Sequence, residues 1–413
     1  MIDELGRRAG VASRILRTAT AATKNAALEL AADEVEKATD VILDANQEDM
    51  ERARNEGVTG ALLDRQLLNP ERVSAMADGL RVVASLPDPV GSTTAGWVLP
   101  NGLKVERVRA PLGVVAVIYE ARPNVTSDAG GLCLKAGNAA LLRGSSFTLT
   151  SNMAIAAVMR EALDKAGLPE DAIQVVEDTS REGAKELMTT RKYVDLLVPR
   201  GGPSLIAAME AEATVPFVID GAGNCHVYVD ASADLARAEA IVLNSKTHRP
   251  GVCNAAETLL VHQAVADEFL PKVAGSLMAA GVELRGDETA RNLVDGIDPA
   301  TDDDWAKEYL DMVMAVRVVP SLEDAVAHVN RYGTGHTEAI VTDRIEAADQ
   351  FVNGTDSGVV MVNASTRFTD GGEFGFGAEI GNSTQKLHVR GPMGLEALTS
   401  ERYIVTGDGQ VRQ

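Results

Sequence analysis

Apolar residues recur along this chain with two different periods. Through residue 85 they return every three or four positions among Ala, Glu and Arg, as at Leu28, Leu30, Val35 and Val41-Ile42-Leu43, which predicts a run of helices. The charges between them read as a solvated helix face. Around 92–110 the texture changes. Thr93 to Pro100 and Leu103 to Arg109 flank Asn101-Gly102 and predict a β-hairpin. Its second strand alternates apolar and charged residues, as in an arm for contacts between subunits or in a plain surface hairpin.

From 112 onward, short apolar runs alternate with helical stretches. Strands are expected at 113–119, 139–143, 173–176 and 194–198, and helices near 127–135, 149–166, 182–189 and 204–213. A second series begins near 216, with strands at 259–262, 315–319, 339–342 and 359–363. Such alternation implies right-handed crossovers and parallel sheets covered by helices on both faces. The expected architecture is α/β, with two such units plus a hairpin. No repeat period is present.

Composition narrows the function. Sixty acidic against 39 basic residues give a formal charge of −21 over 413 residues. This disfavours nucleic-acid binding and a polybasic membrane anchor. The longest apolar runs, such as Val114 to Tyr119, are too short to span a bilayer. Three cysteines and the acidic start Met1-Ile2-Asp3-Glu4 suggest a reducing, cytoplasmic setting. The histidines form no ligand-spaced pair, so no metal site is expected, and Asp302-Asp303-Asp304 reads as a helix cap.

Three segments carry candidate chemistry, each sought beyond the carboxyl end of a strand. Arg200-Gly201-Gly202-Pro203 suits a phosphate at a helix entrance, although a plain strand-to-helix turn has the same composition. Arg143 with Gly144-Ser145-Ser146 offers a guanidinium and two hydroxyls where an NAD-type fold places an acid, which suits a 2′-phosphate, or else a surface Arg beside a Ser-rich helix cap. In Asn244 to Asn254, Cys253 comes two residues after Gly251 and lies within seven residues of Lys246, His248 and Arg249. Cationic neighbours lower a thiol from its free value of ~8.5, which makes Cys253 the candidate nucleophile. A small buried hydrophobe is the alternative. Cys133 reads as core, and Cys225 stands at the mouth of a strand.

Four stretches carry a resemblance. They are Val117 to Thr126 (with Tyr119-Glu120-Ala121-Arg122-Pro123-Asn124), Lys246 to Thr258, Glu373 to Gly381, and Asn224 to Asp230. Over essentially its whole length the chain resembles the aldehyde dehydrogenase superfamily, and within it the branch that reduces an acyl phosphate. The resemblance implies an aldehyde dehydrogenase-like fold of two Rossmann-related parallel-sheet domains with a small oligomerisation hairpin. It implies a dinucleotide domain from 1–91 and 111–227, an arm from 92–110 with 399–413, and a catalytic domain from 228–398.

By position, the resemblance makes Cys253 the nucleophile and Asn124 an oxyanion donor. Arg143, Gly144 and Ser145 fall at the adenosine ribose, Gly201 and Gly202 at the pyrophosphate, and Glu308 at the nicotinamide ribose. Oxidative members place a water-activating glutamate where this chain reads Val218-Ile219-Asp220-Gly221-Ala222-Gly223, which fits a reductase. The implied reaction is NADPH-dependent reduction of L-glutamyl 5-phosphate, with Arg122, Lys246, Arg249 and Arg367 as candidates for its anionic groups. A homodimer or homotetramer and a transient contact with a separate glutamate kinase are the implied partners.

Overall fold

The computed structural model describes residues 1–219, 221–387 and 389–412, and all counts of elements refer to them. The chain divides into two compact units. The first comprises 1–219, 375–381 and 393–413, and the second 220–374 and 382–392.

The first unit begins with helices Ile2–Leu16, Ala21–Lys37, Thr39–Asn55 and Pro70–Ser85, among others. Thr20 and Asn69 cap two of them through side-chain oxygens. Only 4% of the residues are aromatic, and here small residues such as Ala27, Ala31 and Ala32 are buried beside Leu28 and Val35. Not every charge on these helices is solvated. Lys24 is fully buried, bonded to Asp88 at 2.7 Å and to the Lys135 carbonyl at 2.9 Å. Asp49 is buried as well, accepting from the Ser151 amide and hydroxyl at 2.7 Å. Both contradict the reading of a wholly solvated face. A buried charge is tolerated when partners replace its hydration, and those partners lie about 60 to 110 residues away in sequence.

The hairpin forms from β1 (Thr93–Val98) and β2 (Lys104–Pro111), antiparallel and joined by a five-residue loop rather than a two-residue turn. Gly102 takes a positive φ of 88° there, which is why a glycine follows Asn101. A four-stranded sheet consists of β3 (Val114–Tyr119), β4 (Ala139–Arg143), β5 (Ile173–Val175) and β6 (Leu196–Arg200), all parallel in the order β5-β4-β3-β6. Every residue of β3 is buried, as expected for a parallel strand covered on both faces.

The second unit is built on seven parallel strands. They are β7 (Cys225–Val229), β8 (Ala256–His262), β9 (Glu283–Gly286), β10 (Asp298–Pro299), β11 (Val313–Val319), β12 (Thr337–Val341) and β13 (Val359–Val362). Their order is β10-β9-β11-β8-β7-β12-β13. Because β7 is an inner strand of this sheet, the unit starts before 225 and not at 228 as the sequence suggested. Its core is Val227, Leu259, Val261, Phe269, Leu270, Met314 and their neighbours. A short ribbon of β14 (Asn382–Ser383) and β15 (Gly391–Pro392) follows. Finally β16 (Thr399–Thr406) returns to the first unit and pairs antiparallel with β2 over eight residues, completing a three-stranded sheet. The acidic triplet caps a helical turn, where Asp304 accepts from the Thr301 amide and hydroxyl at 2.8 Å. Among the described residues no helix is long and apolar enough to cross a membrane.

Candidate active site

The nucleophile candidate lies at an unexpected edge. Cys253 occupies the connection between helix Leu235–Thr247 and β8, at the amino end of an inner strand and not beyond a carboxyl end. The loops entering β7, β11 and β12 share that edge, so Gly221 to Gly223 and Glu308 lead into the two strands flanking β8, and Thr334 to His336 into the next strand along. Arg143 to Ser145 and Arg200 to Pro203 do follow the carboxyl ends of β4 and β6, whereas this segment precedes the amino end of β8.

Cys253 is half-buried, whereas Cys133 and Cys225 are fully buried. Burial pushes the Cys133 thiol up to about 12 and the Cys225 thiol well above its usual range. The Cys225 thiol donates to the Cys253 carbonyl at 3.2 Å. From another side Gly223 presses on the same carbonyl, and a Cβ there would fall 1.5 Å from the oxygen. The Gly223 amide donates to Glu308 Oε1 at 2.6 Å, which ties the Glu308 loop to the cysteine's backing.

Lys246 is displaced from the role the sequence suggested. It is fully buried, and its ammonium meets the equally buried Glu257 at 2.5 Å, so the substrate-binding expectation is corrected. Burial pushes the Glu257 carboxyl up to about 7 and draws the Lys246 ammonium down. Glu257 Oε1 also accepts from the Leu310 amide at 3.0 Å, with Leu310 at φ 54° two residues beyond Glu308. Glu257 was missed in the sequence, although a carboxylate inside the apolar run Ala256 to Val261 signals a buried charge that needs a partner.

Arg367 is half-buried beside a recess of about 200 Å³ that it shares with Asn244, His248, Phe368, Asp370 and Glu373. Burial, then the like charge of Arg249, draws its guanidinium below the usual range, and its Nε donates to His248 Nδ1 at 3.3 Å. Arg249 itself is exposed. Lys246, Arg249, Cys253, Glu308 and Arg367 thus all belong to the second unit, while Asp220 lies outside the described residues.

The remaining candidates belong to the first unit. Asn124 begins helix Val125–Lys135, and its amide donates to Asp128 Oδ2 at 2.8 Å. Burial pushes the Asp128 carboxyl up to about 6, against the opposing effects of Asn124 and Arg200. Arg122 is exposed one turn earlier. Arg143 ends β4 and donates to the Thr179 and Ser180 carbonyls at 2.5 and 2.9 Å, while its buried Nε has no acceptor among the described residues. Gly144 leaves no space for a side chain, because a Cβ would fall 2.1 Å from Asn152 Nδ2. The Ser145 hydroxyl lies 3.3 Å from that of Thr148. Gly201 and Gly202 follow β6 and precede helix Pro203–Glu212, and the Gly202 amide donates to Glu120 Oε2 at 3.3 Å. The buried Arg143 Nε, a donor without an acceptor among the described residues, fits a phosphate-bearing dinucleotide, whereas the Gly202 amide already serves the Glu120 carboxylate.

Comparison with known proteins places these features in a family. The sequence profile of the aldehyde dehydrogenase family matches residues 2–290 and 300–402. Gamma-glutamyl phosphate reductase of Moorella thermoacetica is 55% identical over 412 residues, covering 100% of this chain and 99% of its own length. The protein of the same name from Thermobifida fusca is 53% identical, covering 100% and 98%. The crystal structure of gamma-glutamyl phosphate reductase from Thermotoga maritima superposes with a TM-score of 0.97 at 46% identity, over 99% of both chains. An acetylating aldehyde dehydrogenase from Geobacillus thermoglucosidasius, 19% identical with a TM-score of 0.70 over 100% and 97%, shares the fold. The chain belongs to the aldehyde dehydrogenase family.

Proposed function

We propose that this chain reduces L-glutamyl 5-phosphate to L-glutamate 5-semialdehyde and phosphate with NADPH, the second step of proline biosynthesis from glutamate, through a thioester on Cys253. Relatives at 53% to 55% identity over full length carry the corresponding name. The observation that carries the mechanism is selective exposure: of three cysteines, only Cys253 is not buried, and its backbone is clamped by Gly223 and Cys225.

The Cys253 thiolate forms a C–S bond to the acyl carbon as the C–O bond to phosphate breaks and phosphate departs. The hydride that then reduces the thioester carbon comes from the dinucleotide when it is bound. Collapse of the resulting thiohemiacetal breaks the C–S bond, releases the aldehyde and restores the thiolate. Asn124 is assigned to the developing oxyanion, together with the Cys253 amide. The bond to Asp128 uses one of the two amide protons of Asn124 and fixes its plane. Arg143, Gly144, Ser145, Gly201 and Gly202 are assigned to the dinucleotide's ribose and phosphates, and Glu308 to its nicotinamide ribose. Arg122, Arg249 and Arg367 remain assigned to the substrate's anionic groups, whereas Lys246 supports the loop from beneath.

The arm is assigned to self-association into a dimer or tetramer. Trp97, Val98, Tyr403 and Val405 expose apolar surface on its two edge strands. A separate kinase supplying the labile acyl phosphate through transient contact completes the reading, and a cytoplasmic setting suits both enzymes. The test is phosphate-dependent NADP reduction by L-glutamate 5-semialdehyde, which the purified chain should support. Cys253→Ser should abolish it, and retained turnover in that variant, or turnover that ignores phosphate, would overturn the assignment.

A further inference from the structure

A cavity of about 450 Å³ opens in the second unit, and none of its residues figures in the chemistry above. It is lined by Asp356, Lys386 and Arg390 together with the hydroxyls of Thr334, Ser357 and Thr384. Thr334 and Ser357 sit in the connections entering β12 and β13, so the cavity lies at the amino edge of the sheet that also carries Cys253.

One short strap joins the two places. Gly221 lies against the Thr384 hydroxyl, where a Cβ would come within 2.3 Å of its oxygen. Two residues on, Gly223 lies against the Cys253 carbonyl. Two residues of extended chain span at most about 7 Å. Cavity wall and thiol loop therefore touch opposite ends of a strap comparable in length to a five-carbon dicarboxylic acid, whose end carbons are four bonds, about 5 Å, apart when extended.

The cavity's charges are unevenly matched. Lys386 Nζ and Arg390 Nη2 both pair with the single carboxylate of Asp356, the latter at 2.8 Å, and Arg390 also donates to the Asp356 carbonyl at 2.7 Å. Two cations against one carboxylate leave a net charge of +1 in a chain whose formal charge is −21. In addition, Arg390 Nε is buried with no acceptor among the described residues. A guanidinium edge without an acceptor calls for an anion. A phosphate dianion entering here would also face Asp356. An α-amino acid would not suffer that repulsion, because it carries a carboxylate for Lys386 and Arg390 and, two bonds away, an ammonium for Asp356.

We propose that this cavity takes the α-amino-acid head of the substrate, its carboxylate on Arg390 and Lys386 and its ammonium on Asp356. The assignment rests on the function proposed above and names the part of the molecule that selects a glutamyl substrate. It leaves Arg122, Arg249 and Arg367 to the phosphate.

The experiment compares kcat/KM for L-glutamate 5-semialdehyde with that for propanal, which has no head group, in wild type, Arg390→Met and Lys386→Met. The ratio should fall at least tenfold in each variant, and an unchanged ratio would overturn the proposal. Should Arg390→Met not fold, Lys386→Met carries the test, its side chain being 65% exposed. Calorimetry on Cys253→Ala supplies a readout that needs no turnover. L-glutamate should bind more tightly than glutarate, which lacks the ammonium, and at least tenfold more tightly than it binds the Arg390→Met double variant. Glutarate binding as tightly as L-glutamate would refute the zwitterion site. L-glutamate binding that does not raise the KM for the semialdehyde would refute the substrate-head assignment in favour of a free amino acid. Wild type that binds L-glutamate in the calorimeter but turns over no semialdehyde would sink the proposed reaction and the substrate-head assignment with it, whereas turnover without L-glutamate binding would sink the cavity assignment alone.

Discussion

The contact between Gly223 and Cys253 makes a sharp prediction. In Gly223→Ala the new methyl would lie 1.5 Å from the Cys253 carbonyl oxygen, 2.3 Å from its carbon and 2.7 Å from its Cα. Ordinary contact begins near 3.4 Å, so the two backbones must separate by about 2 Å. The obstacle is main chain on both sides, and no rotamer change relieves it. A displacement of about 1 Å in a reacting group can cost about 10² in rate, so kcat should fall by at least about 10². Overpacking should cost about 1–3 kcal/mol of stability, leaving the variant folded. Gly275→Ala is the control, because Gly275 is exposed in helix Gln263–Ala279 and has nothing within 4 Å of a new methyl. It should gain about 0.4–1 kcal/mol and keep its rate. Steady-state kinetics, thermal melts and the rate of iodoacetamide labelling at Cys253 measure all three effects. A Gly223→Ala protein with kcat within about threefold of wild type and an unaltered melt would show that this contact does not place the thiol.

Other consequences are equally accessible. Lys246→Met leaves the buried Glu257 without its partner and should cost about 3–5 kcal/mol in urea denaturation, most of it recovered in Lys246→Met with Glu257→Leu. Equal losses in the single and double variants would contradict the pairing argument. Asp128 should titrate late: its carboxyl is pushed from an ordinary 3.8 up to about 6, so the folded state holds this proton more tightly than the unfolded chain. Its contribution therefore falls as pH rises from about 4 to about 6, by up to about 3 kcal/mol, and Asp128→Asn should remove that slope; an identical slope in the variant refutes the assignment. Deleting residues 92–110 or replacing Trp97 and Tyr403 with Ser should lower the mass in solution measured by light scattering, and an unchanged mass would remove the arm from assembly.

How much of this was legible in the sequence depended on the range of the interaction. The alternation from 112 to 212 located β3, β4, β5 and β6 to within a few residues, because strand burial and helix periodicity are local signals. The hairpin was legible from Asn101-Gly102, but the five-residue loop was not, since its length is set by the register of β1 on β2. Cys253 stood out in the sequence as a loop cysteine and is the half-buried one of the three, yet its edge of the sheet was not legible, because a helix-to-strand loop and a strand-to-helix loop can share one composition. Lys246 shows the same limit. Seven residues of spacing from Cys253 said nothing about direction, and the side chain turned to Glu257 within the core. The pairing of Lys386 and Arg390 with Asp356 was invisible for a similar reason, being made across about 30 residues by a loop with no periodic pattern.

The threading of the chain between its two units bears on the order in which they fold. Asn138 donates to the Leu398 carbonyl while accepting from the Gly113 amide, and β16 lies along β2. The first unit is therefore completed by residues beyond 390, whereas nearly all of the second is one continuous stretch from 220 to 374. Domains usually mature in the order of synthesis. Here the later-made sequence can close its sheet while the earlier one still waits for its last strand. A genetic transplant follows the same logic: the second unit's continuous stretch moves as one cassette, but the first moves only if three separated segments travel together.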